Sequence, residues 1–385
     1  MFGRSITLFK IFGFSIRLDA SWILIAILVT WSLAMGVFPY AYPELSHADY
    51  WWMGIAGAVL FFASIVVHEL CHSLVANHYK LPMRGITLFI FGGVAEMGGE
   101  PQSAKIEFLM AIAGPLSSIA IGFICRGIQM VGINANWPIP VTGVLGYLAW
   151  INLLLAGFNL IPAFPLDGGR VLRAALWHFK HDLLRATRIA SVIGSGFGIL
   201  LIIFAVYQLF FGNLVAAVWY FLIGMFLRGA SKASYRQLVL RTALQGEQVR
   251  RFMRPHPIAV HPDMSIRQLV EDYMYRYDFK FYPVVDEADD LIGCVTTNQV
   301  RQMPKEEWDR HQVGEVVRPC SPEDTVTPDT DAINAMQKLE QSGDGELLVT
   351  ERNHLLAVVT PRDIVNFLAA KLRLQGSSTP ISHTP

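Results

Sequence analysis

The chain has 385 residues, 53% of them hydrophobic and only 16% charged, and its 31 basic and 31 acidic side chains cancel to zero net charge. No basic excess exists to neutralise phosphates, which excludes a nucleic-acid binder, while the length allows more than one domain. The averages conceal two unlike halves, one of long apolar runs up to about Arg228 and one of ordinary soluble composition from Lys232 onward.

Runs long enough to cross roughly 30 Å of hydrocarbon lie near 20–40, 51–77, 106–131, 143–162, 189–211 and 214–228, which predicts about six transmembrane helices. The first lacks a small-residue cleavage site and reads as a retained anchor rather than a signal peptide. Arg4, Lys10 and Arg17 precede it; Lys80, Arg84 and Lys105 follow the second run; Arg170, Arg173, Lys180, Arg185 and Arg188 follow the fourth; Arg228, Lys232, Arg236 and Arg241 follow the sixth. The loops 41–49, 132–142 and 212–213 carry no Lys or Arg. The positive-inside rule then places both termini and the soluble half on the cytoplasmic side of the cell membrane, inner or plasma. Between Leu81 and Gly99, "LPMRGITLFIFGGVAEMGG" is too short and too rich in glycine, β-branched and aromatic residues for a spanning helix. It predicts strands re-entering the membrane, whose backbone groups need protein or a wet cavity as partners.

The second run contains "IVVHELCHSLVA", Ile65 to Ala76. Ionisable groups inside a span are costly and must face a partner, a cavity or a metal. His68-Glu69-Leu70-Cys71-His72 has the H-E-x-x-H spacing, in which two imidazoles four apart share a helix face and reach one metal while Glu69 stands beside them as general base. The alternative is a pair of core histidines in hydrogen bonds. A catalytic zinc takes three protein ligands and leaves a position for water, so a third must come from another apolar segment. "FNLIPAFPLDGGRVLRA", Phe158 to Ala174, offers Asp167: Pro162 and Pro165 break the fourth helix, Gly168 and Gly169 permit close approach, and a new helix starts near Arg170. Asp167 as a cap of that helix is the competing role. His178 and His181 read as solvated surface. Cys71, Cys125, Cys294 and Cys320 form no CxxC pair and predict neither a disulfide framework nor a cysteine zinc site.

The soluble half is a repeat. Val249–Met303 and Val313–Leu368 correspond at an offset of 64, with Arg254-Pro255 matching Arg318-Pro319 and Thr296 matching Thr360. Each copy predicts strand, Pro-Asp turn, amphipathic helix, two strands and a final helix. The expected division is 1–230 membrane domain, 231–248 linker helix, 249–303 and 313–372 as the two α/β copies, and 373–385 a disordered tail.

HELCH in the second run, "FGGVAEM" at Phe91 to Met97, "AGPLSS" at Ala113 to Ser118 and "NLIPAFPLDGGR" at Asn159 to Arg170 resemble the site-2 protease family of intramembrane zinc metalloproteases over about residues 1–230. The repeat is similar to a tandem CBS-domain pair, which some bacterial and archaeal members carry. The resemblance implies one zinc ion held by His68, His72 and Asp167, with Glu69 as the base that activates water. It implies that Asn159 steadies the substrate carbonyl or its oxyanion, an interhelical hydrogen bond being the other role open to it, and that Gly114 and Ser118 serve close helix packing. The stretch Ile86–Met97 would offer a strand edge to an unwound substrate, with Phe91, Gly92, Gly93 and Val94 as its contacts. The expected substrates are single-pass membrane proteins, such as a membrane-bound anti-sigma factor or a signal-peptide remnant, cut within a lipid environment. Tandem CBS pairs bind adenine nucleotides such as ATP or AMP and often dimerise, and the family's T-x-x-D acid is matched by Thr360 and Asp363 in the second copy. The first copy departs from it, with Gln299 in the acid's place. The rival readings are a CBS-regulated transporter or channel and an inactive homologue that binds membrane proteins.

Overall fold

The structure, a computed structural model, describes residues 6–11, 14–81, 83–89, 92–97, 99–277, 279–321, 323–342 and 345–374. The chain divides into two compact units, Met1–Arg236 and Gln237–Pro385.

The first unit opens with two strands, β1 (Ile6–Ile11) and β2 (Phe14–Leu18). Asp19 then accepts from the Ser21 amide and caps α1 (Ala20–Ser32), which runs through a π turn at Leu33–Val37 into α2 (Phe38–Ala41). Ser46 and Asp49 form a reciprocal capping box at the start of α3 (His47–His78). Two strands follow, β3 (Met83–Phe89) and β4 (Gly92–Met97), then α4 (Ala104–Asn134), capped by Ser103, and α5 (Ile139–Asn159). The short α6 (Asp167–Lys180) precedes α7 (Leu183–Phe210) and α8 (Leu214–Leu244).

Among the described residues, five helices are long and apolar enough to cross a membrane: Ala20–Ala41, His47–His78, Ala104–Asn134, Ile139–Asn159 and Leu183–Phe210. Only 17% to 39% of each apolar window is buried, so side chains such as Leu200, Ile203 and Phe210 point outward. A contiguous apolar exterior on this scale suits lipid, not water. The sixth predicted run begins α8, which continues without a break through Lys232, Arg236 and Arg241. Small residues make the close approaches: a side chain at Gly198 would lie 2.7 Å from the Gly224 carbonyl, and one at Gly122 would lie 3.1 Å from that of Ala149.

The strands predicted between Leu81 and Gly99 are present as β3 and β4, paired antiparallel from Met83↔Met97 to Phe89↔Gly92. They belong to a larger sheet than expected, of order β1-β2-β3-β4, in which β2 runs parallel to β3 from Ser15↔Gly85 to Leu18↔Leu88. Residues 6–18 carry basic side chains among short apolar stretches, so their local pattern reads as a flank rather than as strands. A Cβ at Gly85 would stand 2.6 Å from the Ser15 carbonyl, so the pairing of β2 with β3 needs glycine there.

The second unit is two interleaved copies. The first contains β5 (Arg254–Pro255), the short α9 (Ile266–Gln268) with its π continuation to Met274, β6 (Phe281–Val285), β7 (Leu291–Thr296) and α10 (Thr297–Arg301). A turn of helix, α11 (Val313–Val316), leads into β8 (Thr325–Val326), α12 (Ala332–Gln341), β9 (Leu347–Glu351), β10 (His354–Val359) and α13 (Pro361–Leu374). Each lead-in segment pairs with the other copy: Arg254 lies opposite Val358 on β10, and Arg318 lies opposite Cys294 on β7. Both contacts are related by the offset of 64, so the repeat is a structural exchange. Val249 and Phe252 accordingly pack in one core with Val349, Val359 and Leu368.

The same exchange corrects the expectation for the cysteines. Cys294 and Cys320 are joined as a disulfide, their Cα atoms 5.3 Å apart. With a sequence separation of 26 and no paired motif, only the pairing of the second lead-in segment with β7 brings them together. The residues predicted as a linker helix are the end of α8 up to Leu244, and the predicted tail lies outside the described residues beyond Leu374.

Where α8 ends, Glu247 bonds Lys371 Nζ at 2.6 Å and Arg251 Nη1 at 2.7 Å. Lys371 first and Arg251 second hold its carboxyl below the usual value of 4.5. A lowered acid stabilises above its unfolded value and loses that contribution as pH falls through the folded one. Glu247→Gln should therefore lower the unfolding free energy of this unit at pH 7 by at most about 1 kcal/mol, the pairs being solvent-screened. Thermal unfolding should show the two proteins converging as pH drops below about 4.5.

Candidate metal and catalytic site

The centre is built on α3. His68 and His72, one helical turn apart, are buried on the same face, and Glu69 is half-buried beside them. Asp167 is the first residue of α6, reached through the irregular stretch Leu160–Leu166. Its Oδ2 stands 3.1 Å from His68 Nε2 and 3.3 Å from His72 Nε2. The cap position of α6 is Leu166, without a side-chain bond, so the carboxylate faces the imidazoles. Gly168 and Gly169 allow this because a Cβ on either would come within 2.2 Å of backbone atoms of Leu160 or Phe164.

An outer ring nitrogen settles the tautomer of His72. His72 Nδ1 is 2.6 Å from the Met110 carbonyl oxygen, which can only accept, so this nitrogen carries a proton. His68 Nδ1 lies 2.9 Å from Ser118 Oγ. With the Ser118 hydroxyl accepting from His68 Nδ1, both Nε2 lone pairs converge on a carboxylate oxygen, and three acceptors meeting in a buried spot need a cation or shared protons between them. Tetrahedral zinc with bonds of about 2.0–2.1 Å separates its donors by about 3.3 Å, the spacing found here. Among the described residues, these three are the group able to hold a metal ion, all buried and with donor atoms within 4.8 Å of one another. Glu69 lies within electrostatic reach of His72, His68, Asp167 and Arg170. The donor set and the nearby carboxylate fit a zinc hydrolase.

The comparisons with known proteins agree. The Peptidase family M50 model matches residues 56–134 and 126–203, and the CBS domain model matches 249–303 and 313–370. Rip3 of Mycobacterium tuberculosis is 31% identical over 365 residues, covering 94% of this chain and 93% of its own. The zinc metalloprotease MJ0392 of Methanocaldococcus jannaschii is 31% identical over 370 residues, 95% of this chain and 96% of that one. The chain belongs to the M50 peptidase family. The solved site-2 protease from Methanocaldococcus jannaschii superposes with a TM-score of 0.42 at 33% identity, over 60% of this chain and 94% of that one.

Within this M50 peptidase, α4 does more than pack. A Cβ at Gly114 would stand 2.2 Å from His72 Nε2 and 2.5 Å from His68 Nε2. Gly114 therefore faces the donor atoms, and Ser118, one turn on, orients His68. The small-residue spacing of the third run was legible in the sequence, but what it packs against was not. The Met110 carbonyl left no signal at all, because any residue supplies one. Asn159 is the last residue of α5, half-buried. Gly92, Gly93 and Val94 lie on β4, opposite Phe89, Leu88 and Thr87, whereas Phe91 lies outside the described residues.

In the CBS copies, Thr360 and Thr296 occupy equivalent positions. Thr296 and Gln299 form a capping box on α10, Gln299 also donating to the Val316 carbonyl. In the second copy, Asp363 accepts from the Thr360 amide and hydroxyl and binds Arg254 Nη2 at 2.6 Å. A cleft of about 510 Å³ opens beside the first copy's Thr296, Thr297, Asn298, Lys280 and Arg301.

Gly114→Ala should push the imidazoles off the shared axis. Titration with a competing chelator should show zinc affinity reduced at least tenfold, the range for altered support of a ligand being about 10–100-fold, while circular dichroism keeps the wild-type helix signal.

Proposed function

We infer that this chain is an intramembrane zinc endopeptidase that hydrolyses peptide bonds within or near the transmembrane segments of membrane proteins. The observation that carries this is the buried convergence of His68, His72 and Asp167 beside Glu69, in a unit whose helices are of membrane length. We assign His68, His72 and Asp167 as the ligands of one zinc ion per chain. Held by these three side chains, a zinc ion would supply a Lewis acid for the scissile carbonyl and for the attacking water. Glu69 removes the proton of the attacking water and returns it to the departing amine, as general base and then general acid. Asn159 donates to the carbonyl oxygen as negative charge builds on it.

The substrate must arrive unwound, since a helix hides its peptide bonds in its own hydrogen-bond ladder. β4 is the terminal strand of its sheet and contacts α3, which carries the histidines. We assign its outer edge, from Gly92 through Val94, to pairing with the extended substrate. Six spans, with α8 completing the set, put both termini and the CBS pair in the cytoplasm. His72 then lies roughly 12 Å, eight residues of helical rise, inside the Lys80 boundary. Cleavage near the cytosolic end of a single-pass substrate, such as an anti-sigma factor or a signal-peptide remnant, would release a soluble fragment.

The CBS pair is assigned an adenine nucleotide at Thr360 and Asp363 and a role in dimerisation. Ribose hydroxyls there would compete with Arg254 for the Asp363 carboxylate. ATP should raise the thermal midpoint of the wild type and leave that of Asp363→Asn unchanged; equal shifts in both would remove Asp363 from the site.

Purified protein in detergent should cut a single-pass reporter, and Glu69→Gln should slow this by about 10²–10⁴-fold. Both proteins should keep one zinc ion by elemental analysis. Zinc retained with full activity in Glu69→Gln would exclude Glu69 as the base, and no zinc in either would exclude the ligand assignment.

A further inference from the structure

Arg173 and Glu107 form a buried ion pair that the reaction does not use. Arg173 on α6 is 4% exposed and Glu107 on α4 is 0% exposed. The guanidinium meets Glu107 Oε1 through Nε and Nη2. It also reaches Glu100 Oε2 at 3.4 Å, and its central carbon stands 5.2 Å from the centre of the Phe164 ring. Stability is a poor reason for such a pair. Desolvating two charges is costly, apolar residues of similar volume commonly do as well, and the second oxygen of Glu107 has no hydrogen-bond partner.

Placement is the better reason. Glu107 lies one turn before Met110, whose carbonyl holds His72 Nδ1, and two turns before Gly114, which faces both Nε2 atoms. Arg173 lies six residues after Asp167 on the same helix and touches Phe164, three residues before it. One side chain therefore grips the carboxylate's support on both sides and ties it to the helix that backs the imidazoles. We propose that Glu107 and Arg173 are positioning residues that fix α6 against α4 and so set the spacing of Asp167 Oδ2 from His68 and His72 Nε2. This rests on the zinc peptidase reading above. The pair is buried away from the His68, His72 and Asp167 donor atoms and acts through Asp167.

The test compares four full-length proteins in detergent: wild type, Arg173→Lys, Arg173→Leu and Glu107→Leu/Arg173→Leu. Zinc affinity is read by chelator competition, fold by thermal unfolding of the zinc-free protein, and turnover as kcat and KM separately. Arg173→Leu, which removes the hydrogen-bonded partner of Glu107 and leaves only the electrostatic reach of Arg170, should unfold at lower temperature and bind zinc about 10–100-fold more weakly. The double variant has no stranded charge, so its unfolding temperature should recover. Its zinc affinity should stay at least about tenfold down, with kcat reduced and KM within about twofold, since transition-state support is lost without loss of substrate binding. Arg173→Lys should fall between wild type and Arg173→Leu in zinc affinity. Wild-type zinc affinity and kcat in the double variant would overturn the positioning role alone and leave the pair as packing. A wild type that binds no zinc would overturn the peptidase reading, and this inference with it.

Discussion

Everything in the first unit is arranged around one electrostatic problem, a carboxylate and two imidazoles brought together where water is scarce. His68 Nε2 and His72 Nε2 both face the same oxygen of Asp167, and acceptors so placed repel unless a cation lies between them. A divalent ion held between them would offset the cost of burying them, which would couple metal binding to the packing of the helices that carry them. The helices are long because the membrane is thick, but their mutual placement is set here.

Four elements converge on that point, each with a different device. α3 supplies two imidazoles through the four-residue period. α4 supplies an open space at Gly114, a hydroxyl at Ser118 and a carbonyl at Met110. The break between α5 and α6 delivers Asp167, with glycine where the backbone folds onto itself. α6 is held to α4 by the Arg173 and Glu107 charges. The support for these three side chains therefore comes mostly from α4, which contributes none of them. β4, the terminal strand of a four-stranded sheet, lies against the same helix, α3, so a sheet edge and the three converging side chains are neighbours.

The second unit solves a different problem. Each copy is too small to complete a sheet alone, and each takes its lead-in segment from the other. Val249 and Phe252 thus belong to the core of the second copy although they open the first in sequence. The exchange also brings Arg254, from the first copy's lead-in, onto Asp363 of the second.

Read alone, the sequence determined those features that rest on local periodicity or on the expense of a charge in lipid. The long apolar helices, the shared face of His68 and His72, Asp167 as a candidate third donor, the strands after Lys80 and the 64-residue repeat are of this kind, because each is written in neighbouring residues or in a residue type that lipid does not tolerate. Tertiary structure alone decided the rest. β1 and β2 join a sheet through a glycine that permits contact at Ser15; Cys294 meets Cys320 through exchanged strands; Gly114 faces a metal site rather than merely a helix; Met110 acts through a backbone atom common to all residues; and Glu107 pairs with Arg173 across 66 residues. These are contacts between segments remote in sequence, and their energies depend on the burial and direction that only the folded chain defines.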